Sequence, residues 1–413
     1  MPRSSVTMPV RCAALLACLL PGLLLLAMLW IVPIGGGVVG WTPERSMRGF
    51  ANLWAAGNQA LSGNLDPLFD PAAWKLRLLE LYGPRFTAEH VWGYPPTMLL
   101  LAVPFALLPT VPSFLAWTVL GPIALFLVLR RAGVPVAYCV AVLLSPAMLE
   151  NALAGQTGAF AAALLFGALT LWKSNPVKSG LMLGLLSAKP QIGLLTPICL
   201  AARGGWQAFI AAALACLFLV ILTGEVFGWE AWWRFATETS GFMRAKLSMP
   251  WQGEPWQVNF SSPLYAVIAL GGGLSLAWAV QAAFTVAAIG ACWVAARRGG
   301  DPLLLAGFAA ALELLASPYS HNYDMTILAC AVVAIVLASG RGSPLRGWEK
   351  AALSLAWIWP GVPVALLLFG LPAVAWTGPV LCVASSVGVA FCAWQRIASN
   401  GENARIGGYQ DDR

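Results

Sequence analysis

Long apolar runs separated by short charged connections set the pattern of this chain. No charged residue falls within 12–43, 91–129, 255–296 or 351–395. A helix needs about 20 apolar residues to cross the hydrocarbon core, so several of these runs can cross once and some twice. The first run follows Arg3 and Arg11, as a signal peptide would, but its apolar stretch exceeds the roughly 7–15 residues of such a segment. Crossings are expected at 12–34, 112–130, 133–150, 157–173, 179–189, 190–203, 206–223, 275–296, 302–317, 324–340, 351–370 and 373–394. The pair at 179–203 is short enough to be a hairpin that stops within the membrane. Segments 95–109 and 259–271 are expected to be re-entrant or surface-lying, because Pro104, Pro109 and the glycines at 271–273 break them early. The fold class is therefore all-α, a polytopic transmembrane bundle of about twelve crossings forming one membrane domain.

Charge sets the orientation. Basic residues collect in short connections at Arg130 and Arg131, Lys173 to Lys178, Arg203, Arg297 and Arg298, and Arg341 to Lys350. Such connections face the cytoplasm, which places both termini and the polar tail 395–413 inside. Acidic residues such as Glu44, Asp66, Asp70, Glu150, Glu254 and Asp324 then lie outside.

Two outer loops, 38–94 and 224–258, are long enough to build a site. In the first, Phe50, Leu53, Trp54, Gly57 and Leu61 share a helical face, with Asn52 and Gln59 off it. A second helix is announced by Asp70 as N-cap, Pro71 at the first position and Gly83 past the end. Its Trp74, Leu78, Leu81 and Tyr82 suit the membrane–water interface, with Lys75 and Arg77 reaching outward. The other loop carries Trp229, Trp232, Trp233, Trp251 and Trp256. Interfacial anchoring is the common reason for such tryptophans, and sugar binding is the alternative.

Composition supports the membrane reading and narrows the chemistry. The 413 residues are 59% hydrophobic and 10% charged, against about 25% charged in soluble domains. The net charge of +7 sits at helix ends, so it reports orientation rather than nucleic-acid binding. Nine cysteines are dispersed singly, which implies neither disulfides nor a zinc site. No glycine-rich phosphate loop is present, so the substrate is expected to be a lipid or to be carried by one.

Five polar constellations interrupt apolar sequence on the outer side: Tyr94-Pro95-Pro96; Glu150-Asn151 with Gly155-Gln156; Lys189-Pro190-Gln191; Asn259 with Ser261-Ser262; and 317–324, SPYSHNYD. Tyr94-Pro95-Pro96 also reads as an ordinary helix start, and Glu150 and Gln156 as loop residues. Lys189 lies deep or at a hairpin tip, where an ionisable residue points to function, unless it snorkels to the interface. His321 lies between two tyrosines and near Asp324.

In order, 50–63 (FANLWAAGNQALSG), Phe69-Asp70, Tyr94-Pro95-Pro96, 104–109 (PFALLP), 151–156 (NALAGQ), 184–191 (GLLSAKPQ) and 317–324 resemble glycosyltransferase family 87. The resemblance implies a GT-C membrane fold and a polyprenyl-phosphate-mannose-dependent α-mannosyltransferase in the inner (plasma) membrane, its site on the extracytoplasmic face. A sugar would pass, with inversion, from a polyprenyl-phosphate-linked donor to a glycan or glycolipid hydroxyl. Lys189, Gln191, Gln156, Tyr94 and Tyr319 are the expected donor and phosphate contacts, and His321 the expected catalytic partner. No metal and no cofactor is called for, since the leaving group is a lipid monophosphate.

The chain departs from the family at one position. Members carry Asp directly before the Phe of the first-loop motif as the apparent base, and here that residue is Gly49. Glu44, five residues upstream, is the expected substitute. Two other readings stay open: a catalytically silent lipid-linked-glycan binder, and a transporter of lipid or sugar.

Overall fold

A computed structural model describes residues 47–84, 86, 91–341, 343–362 and 376–408. The crossing expected at 12–34, Glu44, and part of the two final crossings lie outside the described residues. All regular structure among the described residues is helical, apart from one isolated antiparallel bridge between Phe260 and His321.

Among the described residues, five helices are long and apolar enough to cross a bilayer: Thr110–Arg131, Trp206–Phe227, Leu274–Arg298, Asn322–Ser339 and Thr377–Ser399. The pair Val136–Leu143 and Pro146–Ala154, bent by 50°, makes a sixth if it is one broken span. Pro146 lacks the N–H that would continue the helix. The Ser145 hydroxyl caps the restart, accepting from the Met148 N–H at 3.3 Å. Other expected crossings are shorter: Gly158–Leu171 has 14 residues and Pro302–Ala316 has 15. The suspected hairpin is Pro176–Leu185 and Thr196–Ala202, joined by two 3-10 turns around Lys189. Thr97–Ala106 and Pro263–Ala269, within the segments expected not to cross, are short helices.

The centre of the bundle is Pro302–Ala316, where every residue from Leu303 to Ala316 is buried. A helix that is apolar all round belongs inside other helices, and Gly158–Leu171, Thr326–Ser339, Leu274–Arg298 and Thr377–Gly408 pack around it. Trp206–Phe227 is peripheral, burying only Ala208, Ala212, Thr223 and Gly224. Its seam with Pro176–Leu185 rests on Gly180 and Gly184, where an added Cβ would stand 2.4 Å from that of Ala211 and 2.5 Å from that of Ala215. Close backbone approach through small residues spaced by four is how helices associate where lipid removes the hydrophobic drive.

The basic connections meet at one end. Arg203 donates to the Gly300 carbonyl at 3.2 Å, Arg341 pairs with Asp301 at 3.2 Å, and Arg396 pairs with Glu349 at 2.7 Å. Leu274–Arg298, 25 residues and so about 37 Å long, runs from this end to the end where the outer loops gather.

The outer loops correct several expectations. Asn52 and Gln59 are buried rather than off the packed face. Asn52 accepts from the Trp74 indole at 2.8 Å, and Gln59 accepts from Arg77 at 3.0 Å. Trp74 is accordingly fully buried, not interfacial, and Arg77 turns back onto the first helix. The Asp70 cap is formed, accepting from Ala72 and Ala73. Trp229 and Trp233 remain exposed, as interfacial anchors would be.

Candidate active site

The end opposite the basic connections encloses a cavity of about 850 Å³. Its walls come from the first outer loop (Arg48, Gly49, Asn52, Tyr94), the bent helix and the turn after it (Glu150, Ala154, Gln156), the hairpin (Gln191), the second outer loop (Phe235 to Lys246, Glu254 to Phe260) and the 317–324 segment. Five stretches far apart in sequence thus converge on one space.

Local backbone explains how each is presented. Pro146–Ala154 ends at Gly155, whose φ of +63° is the left-handed cap that glycine adopts readily. That turn delivers Gln156, whose carbonyl accepts from the Trp117 indole at 3.1 Å. In the second loop, Phe235–Thr239 is a π-helical turn between Trp229–Arg234 and Ser240–Leu247. The inserted turn sets Phe235, Thr239 and Met243, and then Lys246, along the cavity. Arg234 ties this loop to the first, meeting Asp66 at 2.6 Å and Glu238 at 3.0 Å.

The 317–324 segment is fixed from both sides. Ser261 N–H donates to the Ser320 carbonyl at 2.9 Å, and Asn322 N–H to the Asn259 carbonyl at 2.6 Å. The His321 ring stacks on Tyr323, centroids 5.0 Å apart, and lies 4.3 Å from Phe260. Its Nδ1 lies 2.7 Å from the Tyr319 carbonyl, an acceptor, so Nδ1 carries the proton and Nε2 is a lone pair. Burial, with Lys189 and Lys246 nearby, lowers the His321 pKa to about 3. The imidazole is therefore neutral at physiological pH.

Of the residues singled out in the sequence, Gln156, Gln191, Tyr94, Tyr319 and His321 all border the cavity. Lys189 does not. Its ammonium is behind the wall, paired with the Asp324 carboxylate, bonded to the Thr157 hydroxyl at 2.9 Å and 4.9 Å from the Tyr323 ring centre. Tyr94 lies beside Thr157, and burial raises the tyrosine's pKa. Asp324 is satisfied twice, because its second oxygen accepts from the His321 N–H at 3.2 Å.

Three charged wall residues escaped the sequence reading as site residues. Lys246 sits 4.7 Å over the Trp256 ring. Arg48 borders Gly49 at the start of the first-loop helix. Glu254 caps the turn at Pro255–Val258. Nothing in their immediate sequence marks them, since each reads as an ordinary loop charge. Glu150 belonged to one of the five polar constellations in the sequence, with an ordinary loop residue as the alternative. It is in fact buried, accepting from the Asn322 side chain at 2.7 Å while bordering the cavity.

Gly49 also has a structural correlate. A Cβ at this position would stand 2.3 Å from Gln156 Nε2 and 2.9 Å from the Ala154 carbonyl. The space an aspartate would occupy is filled by the Gln156 side chain.

One end of this helical bundle thus holds a cavity lined by charged side chains and aromatic rings. Residues 92–318 match the sequence profile of glycosyltransferase family 87, and the chain belongs to that family. It is a glycosyltransferase by family. No curated protein and no solved structure matched the chain.

Proposed function

We propose that this protein moves a hexose, mannose being the first candidate, from a polyprenyl phosphate carrier to a hydroxyl of a glycan or glycolipid on the extracytoplasmic side of the plasma membrane. The observation that carries the reading is the meeting of Lys246 and Arg48, Glu150 and Glu254, and the rings of Trp256, Tyr319 and Tyr323 around one cavity. Aromatic faces suit the apolar faces of a sugar. Cations suit the phosphate, whose charge grows as the carbon–oxygen bond breaks. A carboxylate suits the proton of the incoming hydroxyl. Lys246 and Arg48 are the leading phosphate partners, with Lys189 acting from behind through Thr157 and Tyr94. The outer location rests on the gathering of basic connections at the far end, and the full GT-C arrangement of about twelve crossings belongs to the same proposal.

The test is transfer in proteoliposomes supplied with polyprenyl-phosphate mannose and an alkyl hexoside acceptor. Formation of a disaccharide product supports the reading. Donor binding without product favours the second reading, a silent glycan binder, for which Gly49 speaks.

A further inference from the structure

We infer that Glu150 is the base that accepts the proton of the acceptor hydroxyl, in place of the missing first-loop aspartate. This rests on the transferase reading above. Among the described residues bordering the cavity only Glu150 and Glu254 are carboxylates. Asp324 lies just behind and has both oxygens engaged, one by Lys189 and one by His321 N–H. Glu254 is exposed, so it sits at the solvent-facing rim, whereas Glu150 is buried.

Glu150 is placed differently. One carboxylate oxygen accepts from Asn322 at 2.7 Å, and Asn322 is itself pinned by donating to the Pro360 carbonyl at 2.8 Å. That orients the carboxylate while leaving capacity on a group that borders the cavity. Glu150 and Ala154 are four apart on Pro146–Ala154, so they share a face with Cβ atoms about 5–6 Å apart. The Ala154 carbonyl is the backbone group nearest to the absent Gly49 Cβ. Glu150 therefore projects from within one helical turn of the place where the family carries its acid. Gln156 fills the position itself, and Glu150, a longer side chain on the neighbouring helix, borders the same cavity as Gly49.

The step balances without a further reactant. The acceptor oxygen forms a bond to the anomeric carbon as that carbon's bond to the phosphate oxygen breaks. The phosphate takes the bonding pair and leaves as polyprenyl phosphate, and the hydroxyl proton passes to Glu150.

The experiment measures turnover of polyprenyl-phosphate mannose with octyl mannoside, and donor affinity separately, in wild type, Glu150→Gln, Glu150→Asp, Glu254→Gln and Glu44→Gln. Glu150→Gln keeps the acceptor for Asn322, so it is expected to bind donor as wild type does and to lose about 10²–10⁴-fold in kcat. The acid limb of the wild-type pH profile should vanish in Glu150→Gln, which a purely structural role would not cause. Glu150→Asp should recover part of kcat, and its reading stands even if Glu150→Gln is not recovered folded. An active wild type whose activity survives Glu150→Gln, or falls only in Glu254→Gln or Glu44→Gln, overturns the assignment and leaves the transferase reading intact. A wild type that neither binds nor turns over the donor overturns the transferase reading, and this inference with it.

Discussion

Lys189 and Asp324, 135 residues apart, form a buried ion pair behind the wall of the cavity. The pair joins the hairpin turn to the start of a membrane-crossing helix, and Lys189 also bonds to Thr157 beside Tyr94. It supports the site more directly than it serves as a contact for substrate.

Breaking the pair from either side leaves a buried charge uncompensated, at a cost of about 3–5 kcal/mol. Lys189→Met and Asp324→Asn are each expected to lower the unfolding temperature in detergent, and the double variant to recover most of the loss. A double variant no more stable than either single one would show that the pair is not what holds these segments.

The packing around Gly49 gives a directional expectation. Gly49→Asp alone should not raise turnover, because the new Cβ meets Gln156 and the Ala154 carbonyl. Gly49→Asp combined with Gln156→Ala removes the side-chain clash and should be the better tolerated of the two. Higher yield and turnover for the single variant would refute this packing.

Lys246 is the cation that the second outer loop brings to the cavity. Lys246→Ala should cost about 10²-fold in turnover at limiting donor, in the range of a lost preorganised partner of developing charge. Lys246→Arg should retain more activity. Full activity in Lys246→Ala at limiting donor would remove it from the phosphate site.

His321 titrates near 3 in the fold against an ordinary 6.5. Between these values the unfolded chain binds the extra proton, so stability is complete above about pH 6.5 and falls as the pH drops toward 3. Thermal unfolding across pH 4–8 should show this loss, and His321→Gln should flatten that part of the curve. An unchanged slope in the variant would indicate that the imidazole is protonated in the fold.

The spacing of charge along the chain determined the membrane class, the helical fold and the gathering of basic ends, because hydrocarbon accepts neither unpaired charge nor unpaired backbone. Local signals such as the Asp70 cap were legible because they act within one turn, whereas the break at Pro146 interrupts what read as one crossing at 133–150. Tertiary packing alone decided the rest. Asn52 and Gln59 read only as lying off the apolar helical face until Trp74 and Arg77 supplied their partners from the next helix. Lys189 read as a cation for substrate until Asp324 met it, and Glu150 stood between a site residue and a loop residue until Asn322 held it at the cavity. A buried charge takes its role from the groups that satisfy it, and those groups lie far away in sequence.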